Sequence, residues 1–177
     1  MDPVWIAEQA RVQLTWDEFD MLIWQTRCIS REFTNSLRKQ QVGWAKEINR
    51  FYGDAIQKKL SMLGFTKPDK YGRQMKDTVY GCGGFIVDTG GRQGSIKIIC
   101  FRAAGVVSQE IQGKGKLPYG SFYKQANWKL IPEDISQILD PIWGDWVNRE
   151  GRALKIASTI EDRLVPLVLA SNDPKCD

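Results

Sequence analysis

Residues 77–107 read DTVYGCGGFIVDTGGRQGSIKIICFRAAGVV. Thr78–Asp88 and Ser95–Phe101 are β-like runs, and Thr89-Gly90-Gly91-Arg92-Gln93-Gly94 between them has the glycine content that tight turns demand. In the return run Ile96, Ile98 and Cys100 alternate with Ser95, Lys97 and Ile99, the period of a strand with one buried face. The stretch therefore predicts an antiparallel hairpin at the centre of the fold. Glycines 81, 83 and 84 interrupt its first strand, where a bulge or the close approach of another backbone is expected.

Helical patterns flank the hairpin. Thr15-Trp16-Asp17-Glu18 has the form of a capping box, and Phe19, Leu22, Ile23, Ile29, Phe33 and Leu37 follow at helical spacing, predicting a helix over about 16–40. Gly43 allows a break. A second amphipathic helix over about 44–63 follows, stopped by Gly64-Phe65. Ser121–Leu130 reads as a further strand, extending a small sheet over about 77–130. Pro132-Glu133-Asp134 opens a short helix ending before Pro141; Trp143–Val147 and Arg152–Leu169 supply C-terminal helices, and a polar tail over 171–177 is expected to fray. The fold class is α+β, with residues 1–177 forming a single domain.

Charge is segregated along the chain. Residues 1–26 hold one base against five acids and residues 130–177 five bases against nine acids, whereas residues 27–129 hold 19 bases against seven acids. A centre of +12 between flanks of −4 points to a polyanionic partner, nucleic acid first, unless the acidic flanks fold back and neutralise it. No apolar run approaches the length of a membrane span and the N-terminus lacks a basic-then-apolar leader, so a cytoplasmic protein without membrane contact is expected.

The residue inventory narrows the chemistry. The chain has no histidine, which removes Ser-His-Asp and Cys-His catalysis, and cysteines 28, 82, 100 and 176 show no CxxC spacing for zinc. Cys82 and Cys100 could face each other across the hairpin, but reduced thiols suit this compartment better. Neither GCGGF (81–85), GGRQGS (90–95) nor GKGK (113–116) matches a phosphate loop, so a nucleotide cofactor is not expected.

The reading favoured is a non-enzymatic nucleic-acid-binding domain. Its surface combines Lys67, Lys70 and Arg73 of the loop before the hairpin, Arg92 and Lys97 of the hairpin, Arg102, and Lys114 and Lys116 of the loop after it. Phe122, Tyr123 and Trp128 among Lys124 and Lys129 could stack on bases, although a half-buried strand explains them better. The order of elements is also similar in outline to the PD-(D/E)xK nucleases. That resemblance implies a Mg²⁺ site and an alternative group of Glu47, Asp77, Asp88 and Lys97, but Ser95 stands where the family needs an acid. A third alternative is a protein-interaction or homo-oligomeric module. Of seven tryptophans, Trp5 and Trp16 are the candidates for partner contact, while Trp24, Trp44 and Trp146 are expected in the core.

Overall fold

A computed structural model describes residues 2–89, 96–112, 122–126 and 143–170, with 122–126 and 143–145 given by their backbone. The arrangement is α+β: helices α1 (Pro3–Gln13), α2 (Trp16–Thr26) and α3 (Arg31–Met62), strands β1 (Arg73–Thr78), β2 (Gly81–Asp88) and β3 (Lys97–Ala104), the short helix α4 (Ser108–Ile111) and strand β4 (Phe122–Ala126). A 3₁₀ turn (Trp143–Asn148) and helices α5 (Arg149–Arg163) and α6 (Val165–Val168) close the chain. The helix expected before Pro141 and the tail after 170 lie outside the described residues. Among the described residues no helix is long and apolar enough to cross a membrane.

Helix α1 was not anticipated. Asp2 caps it through a hydrogen bond from the Val4 N–H (3.0 Å), with Pro3 in the first turn. Its buried face consists of Ala7, Ala10 and Arg11, which leave no apolar stripe to read. The capping box opens α2 as expected: the Glu18 N–H donates to Thr15 Oγ1 and the Thr15 N–H to Glu18 Oε1, both at 3.2 Å.

The boundary between the long helices moves from Gly43 to residues 27–30. Ser30 caps α3 by accepting from the Phe33 N–H (3.2 Å), and Thr26 and Thr34 turn their hydroxyls onto the carbonyls of Ile23 and Ser30 (2.7 and 2.9 Å). Hydroxyl side chains that bond nearby backbone compete with helix continuation, which accounts for the break there. Gly43 instead sits inside 32 continuous helical residues, with nothing near the position a Cβ would take. Buried Leu37, Gln41, Ala45, Ile48, Tyr52, Ile56 and Leu60 on either side hold the helix through it. The stop at Gly64-Phe65 is a Schellman motif: Gly64 has φ +92°, its N–H donates to the Ser61 carbonyl (3.2 Å), and the Phe65 N–H donates to the Leu60 carbonyl (3.0 Å).

The sheet is an antiparallel meander, β1-β2-β3-β4. The strand predicted over Thr78–Asp88 is β2 (Gly81–Asp88); β1 is an additional strand that begins at the end of the predicted basic loop and pairs Arg73↔Ile86 through Thr78↔Gly81. Register is continuous across β1, β2 and β3, so the β2 glycines do not mark a bulge. They mark close approach: a Cβ on Gly83 would overlap the Val168 carbonyl, and one on Gly84 the Phe101 ring and the Gln74 carbonyl.

The two faces of the sheet bury different clusters. The inner face, with Phe85, Val87, Ile98 and Cys100, packs against α3, α5 and α6 in a core that also takes Phe19 and Ile23 of α2 and Ala7 and Ala10 of α1. The outer face, with Met75, Cys82, Phe101 and Ala103, is covered by Ile111 of α4 and Val106. Cys82 faces Ala103 and Cys100 faces Phe85 across the strands, which puts the two thiols on opposite faces with no bridge between them.

Candidate nucleic-acid interface at the hairpin end of the sheet

Antiparallel pairing decides which residues share an end of the sheet. Arg73 begins β1 opposite Ile86, while Asp88 ends β2 opposite Lys97, so the loop before β1 lies at the same end of the sheet as Asp88 and Lys97. Lys67, Lys70 and Lys97 are exposed there and make no ion pair among the described residues. Asp88 is the register partner of Lys97.

The loop itself is locked. Asp69 Oδ1 accepts from the backbone N–H groups of Tyr71 (2.8 Å) and Arg73 (3.0 Å), and Oδ2 takes the Arg73 Nε (2.8 Å). The Gly72 N–H closes back onto the Asp69 carbonyl (2.9 Å), which requires the φ of +78° that glycine supplies. Thr66 pairs with Met75: its N–H donates to the Met75 carbonyl (2.9 Å), and its hydroxyl oxygen accepts from the Met75 N–H (3.0 Å). Burial alone would raise the Asp69 pKa, but the hydrogen bonds from Arg73 and Tyr71 outweigh it and hold the carboxyl below its ordinary value.

Two residues of the predicted surface are not on it. Arg73 is 2% exposed, paired with Asp69 and donating to the Ile111 carbonyl (3.1 Å), so it ties the loop and α4 to the sheet. Arg102 is 3% exposed and lies opposite Gly83 on the inner face, at the end of the sheet away from the hairpin tip. Strand alternation turns Arg102 to the inner face, whereas Arg73 lies on the outer face with Met75 and is buried there against α4; sequence charge alone reads both as surface. Arg92, Lys114 and Lys116 lie outside the described residues.

The nuclease group does not converge. Glu47 points to α1 and pairs with Arg11 (3.2 Å), on a helix that packs against the inner face. Asp77 and Asp88 belong to the outer face, and Asp77 accepts from the Ser108 N–H (2.7 Å). Asp77 lies beside Cys82, six residues along β2 from Asp88, which separates the two carboxylates by roughly 20 Å at strand rise. They cannot share one Mg²⁺ ion with Glu47. Among the described residues no group of three or more Asp, Glu or Cys side chains is placed to hold a metal.

The acidic flanks do fold onto the basic centre in part. Asp20 of α2 pairs with Arg38, and Glu161 of α5 pairs with Lys59 at 2.7 Å. Lys39, Lys46 and Lys58 on the outer side of α3 remain exposed and without an ion pair among the described residues.

The tryptophans divide differently from expectation. Arg11 is 6% exposed with its guanidinium 3.4 Å from the Trp44 ring centroid and 3.6 Å from that of Trp146, and burial lowers its pKa against the opposing pull of Glu47. This stack joins α1, α3 and the 3₁₀ turn, with Arg149 4.7 Å from the Trp146 ring. Trp24, expected in the core, is 58% exposed beside Met21 and Ile29, and Trp16 packs half-buried against the core instead of standing free. Trp5 is exposed, as its position in the acidic N-terminal region suggested.

Tyr71 is absent from a surface drawn by charge but belongs to the same loop. It is exposed between Lys70 and Arg73, whose charges lie 5.1 and 4.8 Å from its ring centroid. The signal was present as an aromatic inside a basic turn. A scan against protein-family models found no match, and searches of curated proteins and of solved structures found none either.

Proposed function

We propose that this chain is a non-enzymatic nucleic-acid-binding domain that meets its partner with the hairpin end of the sheet. The observation that supports the reading is the placement at one end of the sheet of Lys67 and Lys70, on a loop held by Asp69, and of Lys97 at the start of β3, all exposed and without ion pairs among the described residues. Lysines that neutralise phosphates would release the counterions condensed on the nucleic acid, and a preformed loop loses little entropy on binding. Arg92, Lys114 and Lys116, outside the described residues, belong to the same proposal by their place in the basic centre of the sequence. Arg73 and Arg102 enter it as supports of the scaffold.

The test is binding of labelled DNA and RNA at two salt concentrations, with and without Mg²⁺. Affinity should fall steeply with salt. A Lys67→Gln, Lys70→Gln, Lys97→Gln triple variant should flatten the logarithmic salt slope by about 2, at about 0.7 per lost phosphate contact on single strands. Absence of binding at low salt, or a triple variant with unchanged slope, refutes the reading.

One observation favours a second reading. Met21, Trp24 and Ile29 leave an apolar surface on and just after α2, 65%, 58% and 82% exposed respectively, which suits a protein partner or a second copy of the chain. Sedimentation of wild type and Trp24→Ser over a range of concentrations tests self-association. A monomer at every concentration excludes the second copy.

A further inference from the structure

Three features of the Tyr71 loop bear on which form of nucleic acid the proposed surface takes. The Tyr71 ring is 43% exposed although its backbone is fixed: its own N–H is bound by Asp69 Oδ1, and the residues on either side of Gly72 are tied to the same carboxylate. Cations flank it on both sides in sequence, Lys70 free to reach solvent and Arg73 anchored in the fold. Lys67 and Lys97 stand at the same end of the sheet.

We infer that Tyr71 is a stacking platform for an unpaired base and that the partner is therefore single-stranded nucleic acid. This deepens the nucleic-acid reading and rests on it. The physical argument is one of access. In a duplex both faces of each base are already covered by its neighbours, so a side-chain ring gains nothing from them without prising the stack apart. An unpaired base offers a free π-face to any exposed aromatic, and stacking of this kind is tolerant of sequence. Lys70 beside the ring, with Lys67 and Lys97 at the same end of the sheet, supplies charge for the phosphates that flank the stacked nucleotide. A tyrosine has two side-chain torsions to order, and here its backbone is ordered already.

Tyr71 also covers part of the buried Asp69–Arg73 pair, so its substitution must be read for stability and binding separately. The experiment is a fluorescence-anisotropy titration with a labelled single strand of about 15 nucleotides as DNA and as RNA, and with the matching duplex. It uses the whole chain as wild type, Tyr71→Ala, Tyr71→Leu and Tyr71→Trp, each checked by thermal unfolding. Wild type should bind the single strands more tightly than the duplex. Tyr71→Ala and Tyr71→Leu should weaken single-strand binding on the order of tenfold to a hundredfold while leaving the salt slope unchanged, and Tyr71→Trp should retain it. Leucine restores apolar cover without the π-face, so a folded Tyr71→Leu that binds like wild type overturns the inference. A preference for duplex overturns it as well. In both of those cases the nucleic-acid reading survives if the triple lysine variant still flattens the salt slope. Failure of wild type to bind any of the three probes removes both.

Discussion

Replacing Gly83 by alanine places a methyl group on the Val168 carbonyl oxygen, inside any allowed carbon–oxygen separation. The clash is with backbone, so no rotamer change relieves it; β2 and α6 must part. That movement also strains the hydrogen bond from the Tyr80 hydroxyl to the same carbonyl (2.7 Å) and the packing of Val168 in the main core. Overpacking of this kind costs about 1–3 kcal/mol, and loss of one partly buried hydrogen bond adds about 1 kcal/mol. Gly43→Ala is the matched control. It is the same substitution at a helix position with nothing within reach of the new methyl group, and it should stabilise by about 0.5–1 kcal/mol through the lower entropy of the unfolded chain. Urea unfolding followed by far-UV circular dichroism measures both, and in a domain of this size each 1 kcal/mol moves the midpoint of thermal unfolding by about 2–4 °C. The two variants should therefore move in opposite directions. A neutral Gly83→Ala would refute the placement of α6 on the sheet, and a destabilising Gly43→Ala would refute the continuity of α3.

Arg11→Lys should lose about 2–3 kcal/mol in denaturant unfolding monitored by tryptophan fluorescence, because an ammonium cannot fill the slot between Trp44 and Trp146 as a flat guanidinium does. A lysine variant as stable as wild type would show that stacking contributes nothing. Asp69→Asn leaves the buried Arg73 without its counter-charge and should cost about 3 kcal/mol at neutral pH. Because the folded Asp69 pKa lies below the unfolded one, the wild-type advantage is complete above the ordinary carboxylate range and fades as pH falls through the folded value. Stability curves of the two proteins should thus converge in acid; parallel curves down to the lowest pH measured would contradict this. Burial, with Asp77 and Glu110 adding to it, pushes the Cys82 thiol up to about 11, whereas Cys28 is exposed. Alkylation of the native protein near pH 8, mapped by mass spectrometry, should label Cys28 and spare Cys82, and fast labelling of Cys82 would show that its strand opens.

Features held by nearest neighbours were legible in the chain. The Thr15–Glu18 box, the Gly64 stop and the hairpin of β2 and β3 each depend on residues a few positions apart. Helix α1 was hidden because alanines and a buried arginine form its inner face, and the α2–α3 break because serine and threonine hydroxyls, not a glycine, end the helix. The candidate surface was legible in part. Lys67, Lys70 and Lys97 stand out by charge, but Arg73 and Arg102 carry the same charge into the interior.

By itself, the sequence determined the α+β class, the basic centre between acidic flanks, and the absence of imidazole chemistry. Only the tertiary structure decided which cations face solvent, which glycines admit a neighbouring backbone, and that Asp77 of β1 and Asp88 of β2 stand at opposite ends of the sheet. The physical reason is that charge and backbone freedom belong to single residues, whereas burial and proximity arise when distant segments meet. Arg73 shows the difference: in the sequence it is one more base in a basic turn, and in the fold it is an internal tie whose charge Asp69 and the Ile111 carbonyl consume.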